Sequence, residues 1–77
     1  MSAHATIVRH CQRLGFRRDE CLIAGVGSAE RDQADEVTVF YPGGRAGGDV
    51  AAVVAAFEAA NSKSELASIF HARGLAP

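Results

Sequence analysis

The sequence predicts a small α+β domain in which three helices cover an antiparallel β-hairpin. Two short apolar runs predict the hairpin, CLIAGVG at residues 21–27 and VTVFY at residues 37–41, and the second is dominated by β-branched and aromatic residues. Apolar residues recur at helical spacing on both sides of these runs, which predicts the helices. We therefore expect the order helix, strand, strand, helix, helix, in a single domain spanning residues 1–77.

The first helix is expected from about Ala3 to Leu14. Ile7, Cys11 and Leu14 recur at helical spacing and form one apolar stripe. Gly15 is a suitable end for this helix, because glycine readily adopts the left-handed conformation that follows a helix C-terminus. Phe16, directly after it, is expected to anchor the chain in the core.

Neither predicted strand has a purely polar face. Alternation places Leu22, Ala24 and Val26 opposite Cys21, Ile23 and Gly25 in the first run, and Val37, Val39 and Tyr41 opposite Thr38 and Phe40 in the second. The sequence therefore predicts the two faces of the hairpin without showing which of them is buried.

The segment YPGGRAGGD at residues 41–49 is expected to be a mobile loop, because it has four glycines and because Pro42 interrupts a strand. Asp49 is a good N-cap for a helix over residues 50–60, whose nearly continuous apolar character is typical of a central core helix. A last helix follows NSKSE at residues 61–65, capped by Ser62 or Ser64, and ends near Gly74. Its predicted apolar face consists of Leu66, Ile69 and Phe70.

Charge is unevenly distributed although the net charge is only −1. Residues 1–18 are basic and residues 19–36 are acidic, which predicts two candidate partner-binding surfaces. The acidic candidate is the connector between the strands, with Glu30, Asp32, Asp35 and Glu36; the alternative is a basic face formed by Arg9, Arg13, Arg17 and Arg18. Solvated surfaces would account for either set as well.

The sequence carries no motif for catalysis, a cofactor or a metal. The glycine-rich segment lacks the Lys and Ser or Thr of a P-loop, and Asp49 lies where a phosphate would bind. The three histidines and two cysteines lack the spacing of a zinc site. We therefore expect a protein that is not an enzyme and that holds no cofactor or metal, with Cys11 and Cys21 as core residues or, alternatively, as a redox pair.

Two further expectations concern location and nucleic acid. No run of 18 apolar residues and no apolar secretory segment is present, which favours the cytoplasm. The last two helices could form a helix-turn-helix of a small DNA-binding regulator, with Lys63, Glu65, Ser68, His71 and Arg73 on the second helix. Residues 37–77 have no net charge, however, so direct nucleic-acid binding is the less favoured alternative.

The chain resembles the small phage-encoded anti-CRISPR proteins. The resemblance lies in a short single domain, the absence of a catalytic motif and the clustered charges of Glu30, Asp32, Asp35 and Glu36. It implies a non-catalytic, stoichiometric inhibitor that occupies a surface of a larger nucleic-acid-binding effector complex, such as a CRISPR surveillance complex, in the host cytoplasm. A homodimer is a further possibility, since a two-stranded sheet has unpaired edges.

Overall fold

Three helices and a three-stranded antiparallel sheet form the fold, which confirms the α+β class. The computed structural model describes residues 3–26 and 36–77. In chain order the elements are α1 (Ala3–Arg13), β1 (Leu22–Val26), β2 (Glu36–Tyr41), β3 (Gly44–Asp49), α2 (Val50–Ala59) and α3 (Lys63–Ala72). The sheet order is β1-β2-β3, so β2 is the central strand.

The expectation of a mobile glycine-rich loop after β2 is wrong, because this segment forms strand β3. It pairs with β2 over its whole length, from Glu36 opposite Asp49 to Tyr41 opposite Gly44. A Cβ atom at Gly47 would lie 3.1 Å from the carbonyl oxygen of Val37, so glycine permits this close approach of the two strands. Pairing with the neighbouring strand β2 therefore overrides the low strand propensity of glycine.

The inner face of the sheet forms one wall of the core. Val37, Val39 and Tyr41 of β2 are buried on this face, and Ala46 of β3 lies beside Val39. The predicted alternation of β2 is therefore confirmed, and the structure shows that the valine face is the covered one. Thr38 and Phe40 point to the opposite, outer face.

Helix α1 ends at Arg13, one residue before the predicted boundary. Gly15 has a φ of +92° and turns the chain out of the helix, as expected for a C-terminal glycine. The Phe16 amide then donates to the carbonyl of Cys11 at 3.0 Å, and its ring is buried. This turn brings the chain back towards β1.

Helix α2 is the central core helix, as predicted. It packs against α1, α3, β2 and β3, and it buries Val53, Ala56 and Phe57. The Asp49 carboxylate accepts hydrogen bonds from the amides of Ala51 at 3.1 Å and Ala52 at 3.4 Å, which confirms the predicted N-cap.

Helix α3 begins after Ser62, whose hydroxyl accepts a hydrogen bond from the Glu65 amide at 3.1 Å. The Glu65 carboxylate accepts in turn from the Asn61 amide at 2.9 Å, so both side chains satisfy amides at the helix start. Leu66 and Phe70 are fully buried, as expected. The Phe70 ring lies 5.5 Å from each of the rings of Tyr41 and Phe57, which joins α3 to the sheet and to α2.

The chain after α3 returns to the edge of the sheet. The amide of Gly47 donates to the carbonyl of Leu75 at 2.8 Å, so part of the free edge of β3 is covered. The core includes residues from every helix and from β2 and β3, with β1 contributing partly buried Ile23. Its buried members are Ile7, Cys11, Leu14, Phe16, Val37, Val39, Tyr41, Ala46, Val53, Ala56, Phe57, Ala60, Leu66 and Phe70.

Candidate interaction surface

The outer face of the sheet is the surface opposite the helices. Because directly paired residues of antiparallel strands share a face, the strand registers define its composition. Its rows are Leu22, Phe40 and Arg45 at one end, Ala24, Thr38 and Gly47 in the middle, and Glu36 and Asp49 at the other end. We call these residues the outer sheet face.

A cross-strand apolar pair lies at one end of the outer sheet face. Leu22 pairs directly with Phe40, and these side chains are 60% and 42% exposed. They are the only large hydrophobic residues that are exposed in the described part of the chain. Single exposed apolar residues are common on protein surfaces, whereas an adjacent pair on an open sheet face is a feature of binding surfaces.

The middle of the outer sheet face carries small side chains or none, at Ala24, Thr38 and Gly47. Thr38 and Gly47 also line a cavity of about 280 Å³ together with Leu75 and Pro77. The C-terminal segment therefore borders this part of the face.

The other end of the outer sheet face is acidic. Glu36 of β2 lies directly opposite Asp49 of β3, and both are exposed. Like charges directly opposite each other destabilise a sheet. Asp49 is needed as the N-cap of α2, whereas the Glu36 side chain forms no hydrogen bond or ion pair with the residues that the structure describes.

Glu36 is also the one predicted acidic site residue that the structure describes. The sequence indicated that it belongs to the connector, whereas it is the first residue of β2 and projects from the outer sheet face. Glu30, Asp32 and Asp35 fall within residues 27–35, outside the described residues.

The arginines of the predicted basic face have different contacts in the structure. Arg13 donates to the carbonyls of Phe57 at 3.0 Å and Ala60 at 2.9 Å, so it supplies hydrogen bonds to carbonyl groups at the C-terminus of α2. Arg17 lies beyond the end of α1 and cannot extend a helical row. Arg13 thus has a structural role that its position in the sequence did not reveal.

Arg17 belongs to a small ionic cluster after α1. Its guanidinium lies 3.6 Å from the Glu20 carboxylate and 3.9 Å from that of Asp19. Glu20 also accepts a hydrogen bond from the Arg17 amide at 2.7 Å, and this bond lowers the pKa of the Glu20 carboxyl, with Lys63 contributing to the same effect. Arg18 is exposed and forms no ion pair within the described residues, and Arg9 is exposed on α1.

Helices α2 and α3 have the short connection that a helix-turn-helix requires, but several polar groups of α3 already have partners. Lys63 lies 3.5 Å from Glu20 and 5.1 Å from the Phe16 ring centre, and Glu65 accepts from the Asn61 amide. Ser68, His71 and Arg73 remain exposed. Since duplex binding depends on several phosphate contacts, this helix offers little charge for it.

The two cysteines are adjacent in the structure. Their Sγ atoms are 2.7 Å apart, Cys11 being buried in α1 and Cys21 half-buried just before β1. The hydrogen bond with Cys21 raises the pKa of the Cys11 thiol, and burial raises it further. The same hydrogen bond lowers the pKa of Cys21. The sequence offered a redox pair as an alternative, and the structure brings its two members together.

The outer sheet face was only partly predictable. The alternation of Leu22 with Ile23 and of Phe40 with Val39 was visible in the sequence, but both faces of each run are apolar. The direct pairing of Leu22 with Phe40 depends on the strand register, and Arg45 joins them only because β3 exists. A third strand in a glycine-rich segment has no reliable sequence signal.

Neither a metal centre nor a membrane span is found in the described residues: they contain no group of three or more His, Cys, Asp or Glu side chains arranged to hold a metal ion. None of the helices within these residues has the length and apolar character needed to cross a membrane.

Comparisons with family models, curated proteins and solved structures gave no match to this chain.

Proposed function

We propose that this protein is a non-catalytic protein-interaction module that uses the outer sheet face to bind a basic surface of a nucleic-acid-binding protein. The observation that supports this proposal is the exposed, directly paired Leu22 and Phe40 on the outer sheet face. In the specific form suggested by the resemblance to anti-CRISPR proteins, the partner is an RNA-guided effector complex, and binding inhibits it stoichiometrically.

The apolar pair supplies the affinity in this proposal. Complete burial of a Leu or Phe side chain contributes about 1.5–3 kcal/mol, and both residues are about half exposed. Covering the remaining surface of the pair would thus contribute roughly 2 kcal/mol in total. Anchors of this kind, surrounded by contacts that exclude water, dominate the energy of many interfaces.

The acidic end of the face determines the kind of partner. Glu36 lies directly opposite Asp49, whose carboxylate caps α2, so a cationic group beside Glu36 gains from a carboxylate that has no ion pair within the described residues. Proteins that grip nucleic acid carry clustered Lys and Arg for phosphate contacts. A partner with an apolar contact beside such a cluster matches the order of residues along the outer sheet face.

The test is a binding and competition experiment with purified RNA-guided effector complexes and their target DNA. We expect the protein to bind one effector at a fixed stoichiometry and to reduce its binding of target DNA. Leu22→Ser and Phe40→Ser should each weaken binding about tenfold, which corresponds to about 1.4 kcal/mol. Because both residues are on the surface, circular dichroism and thermal melting should show that these variants remain folded.

Charge reversal provides the matched control. Glu36→Lys should weaken binding about fivefold or more, with a larger effect at low ionic strength, whereas Glu58→Lys on the exposed side of α2 should have little effect. Equal effects of the two reversals would contradict the assignment of the outer sheet face. Self-association that is abolished by Phe40→Ser would instead identify a second copy as the occupant and overturn the proposed partner.

The DNA-binding alternative gives a different result in the same experiment. A helix-turn-helix regulator would bind duplex DNA in the absence of any effector, and Arg73→Glu would weaken that binding while Phe40→Ser would not. This outcome would replace the proposed function.

A further inference from the structure

The Cys11 and Cys21 thiols lie at the wall of a cavity. The cavity has a volume of about 280 Å³ and lies between α1, the turn that follows it and the start of β1. Its lining includes both cysteines together with Arg17 and Arg18. The cavity therefore brings together the two thiols and the cationic side chains of Arg17 and Arg18.

The chain between the two cysteines accounts for their proximity. Gly15 ends the helix, and the Glu20 amide then donates to the Arg17 carbonyl at 3.0 Å while the Glu20 carboxylate accepts from the Arg17 amide. This closed turn directs Cys21 back to α1, where its Sγ lies 2.7 Å from that of Cys11. The distance is longer than the S–S bond of about 2.05 Å and short enough for a disulfide to form with a small displacement.

We propose that Cys11 and Cys21 form a reversible dithiol–disulfide site that is oxidised by small disulfides carrying carboxylates, with Arg18 at the cavity margin receiving the charged arm. This site is independent of the outer sheet face and of the partner-binding function.

The two cysteines have different tasks in this reaction. Cys21 is only half-buried and more accessible than Cys11, and its hydrogen bond with Cys11 lowers its pKa, so Cys21 is the attacking sulfur. Its thiolate attacks one sulfur of the small disulfide, forms a mixed disulfide and releases the first small thiolate. Cys11 is buried, so its sulfur is much less accessible to a molecule that arrives from solvent.

Cys11 completes the exchange as the resolving sulfur. It gives up its proton to the departing thiolate or to solvent and attacks Cys21 Sγ, which breaks the mixed disulfide and releases the second small thiol. The protein loses two electrons and two protons, and the small disulfide is reduced to two thiols. An excess of the small thiol reverses both steps.

The positive charge of Arg18 at the cavity margin favours an anionic oxidant. Arg17 is engaged by Asp19 and Glu20, whereas Arg18 has no ion pair within the described residues. Arg18 is therefore available to attract a carboxylate to the cavity, which favours an anionic disulfide over a cationic one.

The test uses the full chain in buffers with graded ratios of glutathione disulfide to glutathione, followed by acid quenching and mass spectrometry. We expect the wild-type protein to lose the mass of two hydrogens and to regain it with excess glutathione. Cys11→Ser should instead accumulate a mixed disulfide on Cys21, while Cys21→Ser should react at least tenfold more slowly, because Cys11 is buried. Circular dichroism of each variant shows whether it is folded, and the wild-type result does not depend on any variant.

Charge selection is tested by comparing glutathione disulfide with the cationic disulfide cystamine. Arg18→Glu should slow the reaction with glutathione disulfide roughly threefold to tenfold and should not slow the reaction with cystamine. Arg45→Glu on the outer sheet face is the matched control and should change neither rate. The same slowing for both oxidants in Arg18→Glu would overturn the assignment of an anionic ligand.

Two results would overturn the site itself. One is a wild-type protein that keeps both thiols at the most oxidising ratio. The other is equally fast formation of mixed disulfides in Cys11→Ser and Cys21→Ser, which would show two unrelated thiols. Neither result would affect the partner-binding function, because neither cysteine belongs to the outer sheet face.

Discussion

At the scale of single residues, Arg13 shows how one side chain can join two helices. Its guanidinium lies against the end of α2 and donates to the carbonyl of Ala60 and to that of Phe57, which also accepts from the Ala60 amide. The positive charge is also favourable beside the negative end of the helix dipole. Arg13 therefore contributes to the stability of the fold.

Arg13→Ala should lower the free energy of unfolding by about 1–2 kcal/mol, since two hydrogen bonds from a charged donor are lost at a partly buried site. Arg18→Ala, which removes an exposed arginine of the same predicted basic face, is the control and should change it by less than about 0.5 kcal/mol. Urea denaturation of both variants measures the difference. Equal values for the two would show that the Arg13 hydrogen bonds add no stability.

The sequence could not predict this role of Arg13. The position of Arg13 near the end of α1 was clear from the periodicity, but its acceptors lie 44 and 47 residues away along the chain. The caps formed by Asp49 and Ser62 were predictable because their acceptor and donor groups are two or three residues apart. Local interactions were therefore predicted, and the long-range one was not.

At the scale of elements, β3 is the part of the fold that the sequence did not predict. Its glycines adopt conformations that other residues rarely take, with φ of +135° at Gly44 and +152° at Gly48. Leu75 packs against Gly48, where a Cβ atom would lie 3.1 Å from the leucine side chain. Glycine content indicated a loop, whereas these glycines permit a strand beside β2 and the C-terminal segment.

Gly48→Ala should lower the free energy of unfolding by about 1–3 kcal/mol, because alanine is strained at this backbone conformation and also meets Leu75. Gly44→Ala is the matched control, since its φ is also positive but no atom lies within 4 Å of the added Cβ. Urea denaturation should show a loss in both variants and the larger loss at Gly48. A smaller loss at Gly48 than at Gly44 would contradict the described packing of Leu75 on β3.

At the scale of the whole molecule, the described residues place helices α2 and α3 on the inner side of the sheet. The sequence predicted the fold class, the three helices and the alternation within β1 and β2. It could not predict which strand face is covered, because both faces carry apolar residues and the choice depends on how α2 and α3 pack against β2 and β3. The exposed pair of Leu22 and Phe40 is the outcome of that packing.

The outer sheet face and the dithiol pair are separate features of one small domain. The face includes residues of all three strands, whereas the cysteines lie between α1 and the start of β1. Cys21 directly precedes Leu22, so additive effects with the dithiol pair are expected for substitutions at the far end of the face, such as Glu36, rather than for Leu22.

Hydroxyl-radical footprinting of the protein alone and in the presence of the proposed effector complex shows whether the outer sheet face is the binding surface. Leu22 and Phe40 report on the outer sheet face, and His71 reports on the exposed side of α3. We predict that binding lowers the modification of Leu22 and Phe40 severalfold and leaves that of His71 unchanged. Protection of His71 with unchanged modification of Leu22 and Phe40 would contradict the account and would place the interaction on the C-terminal helices.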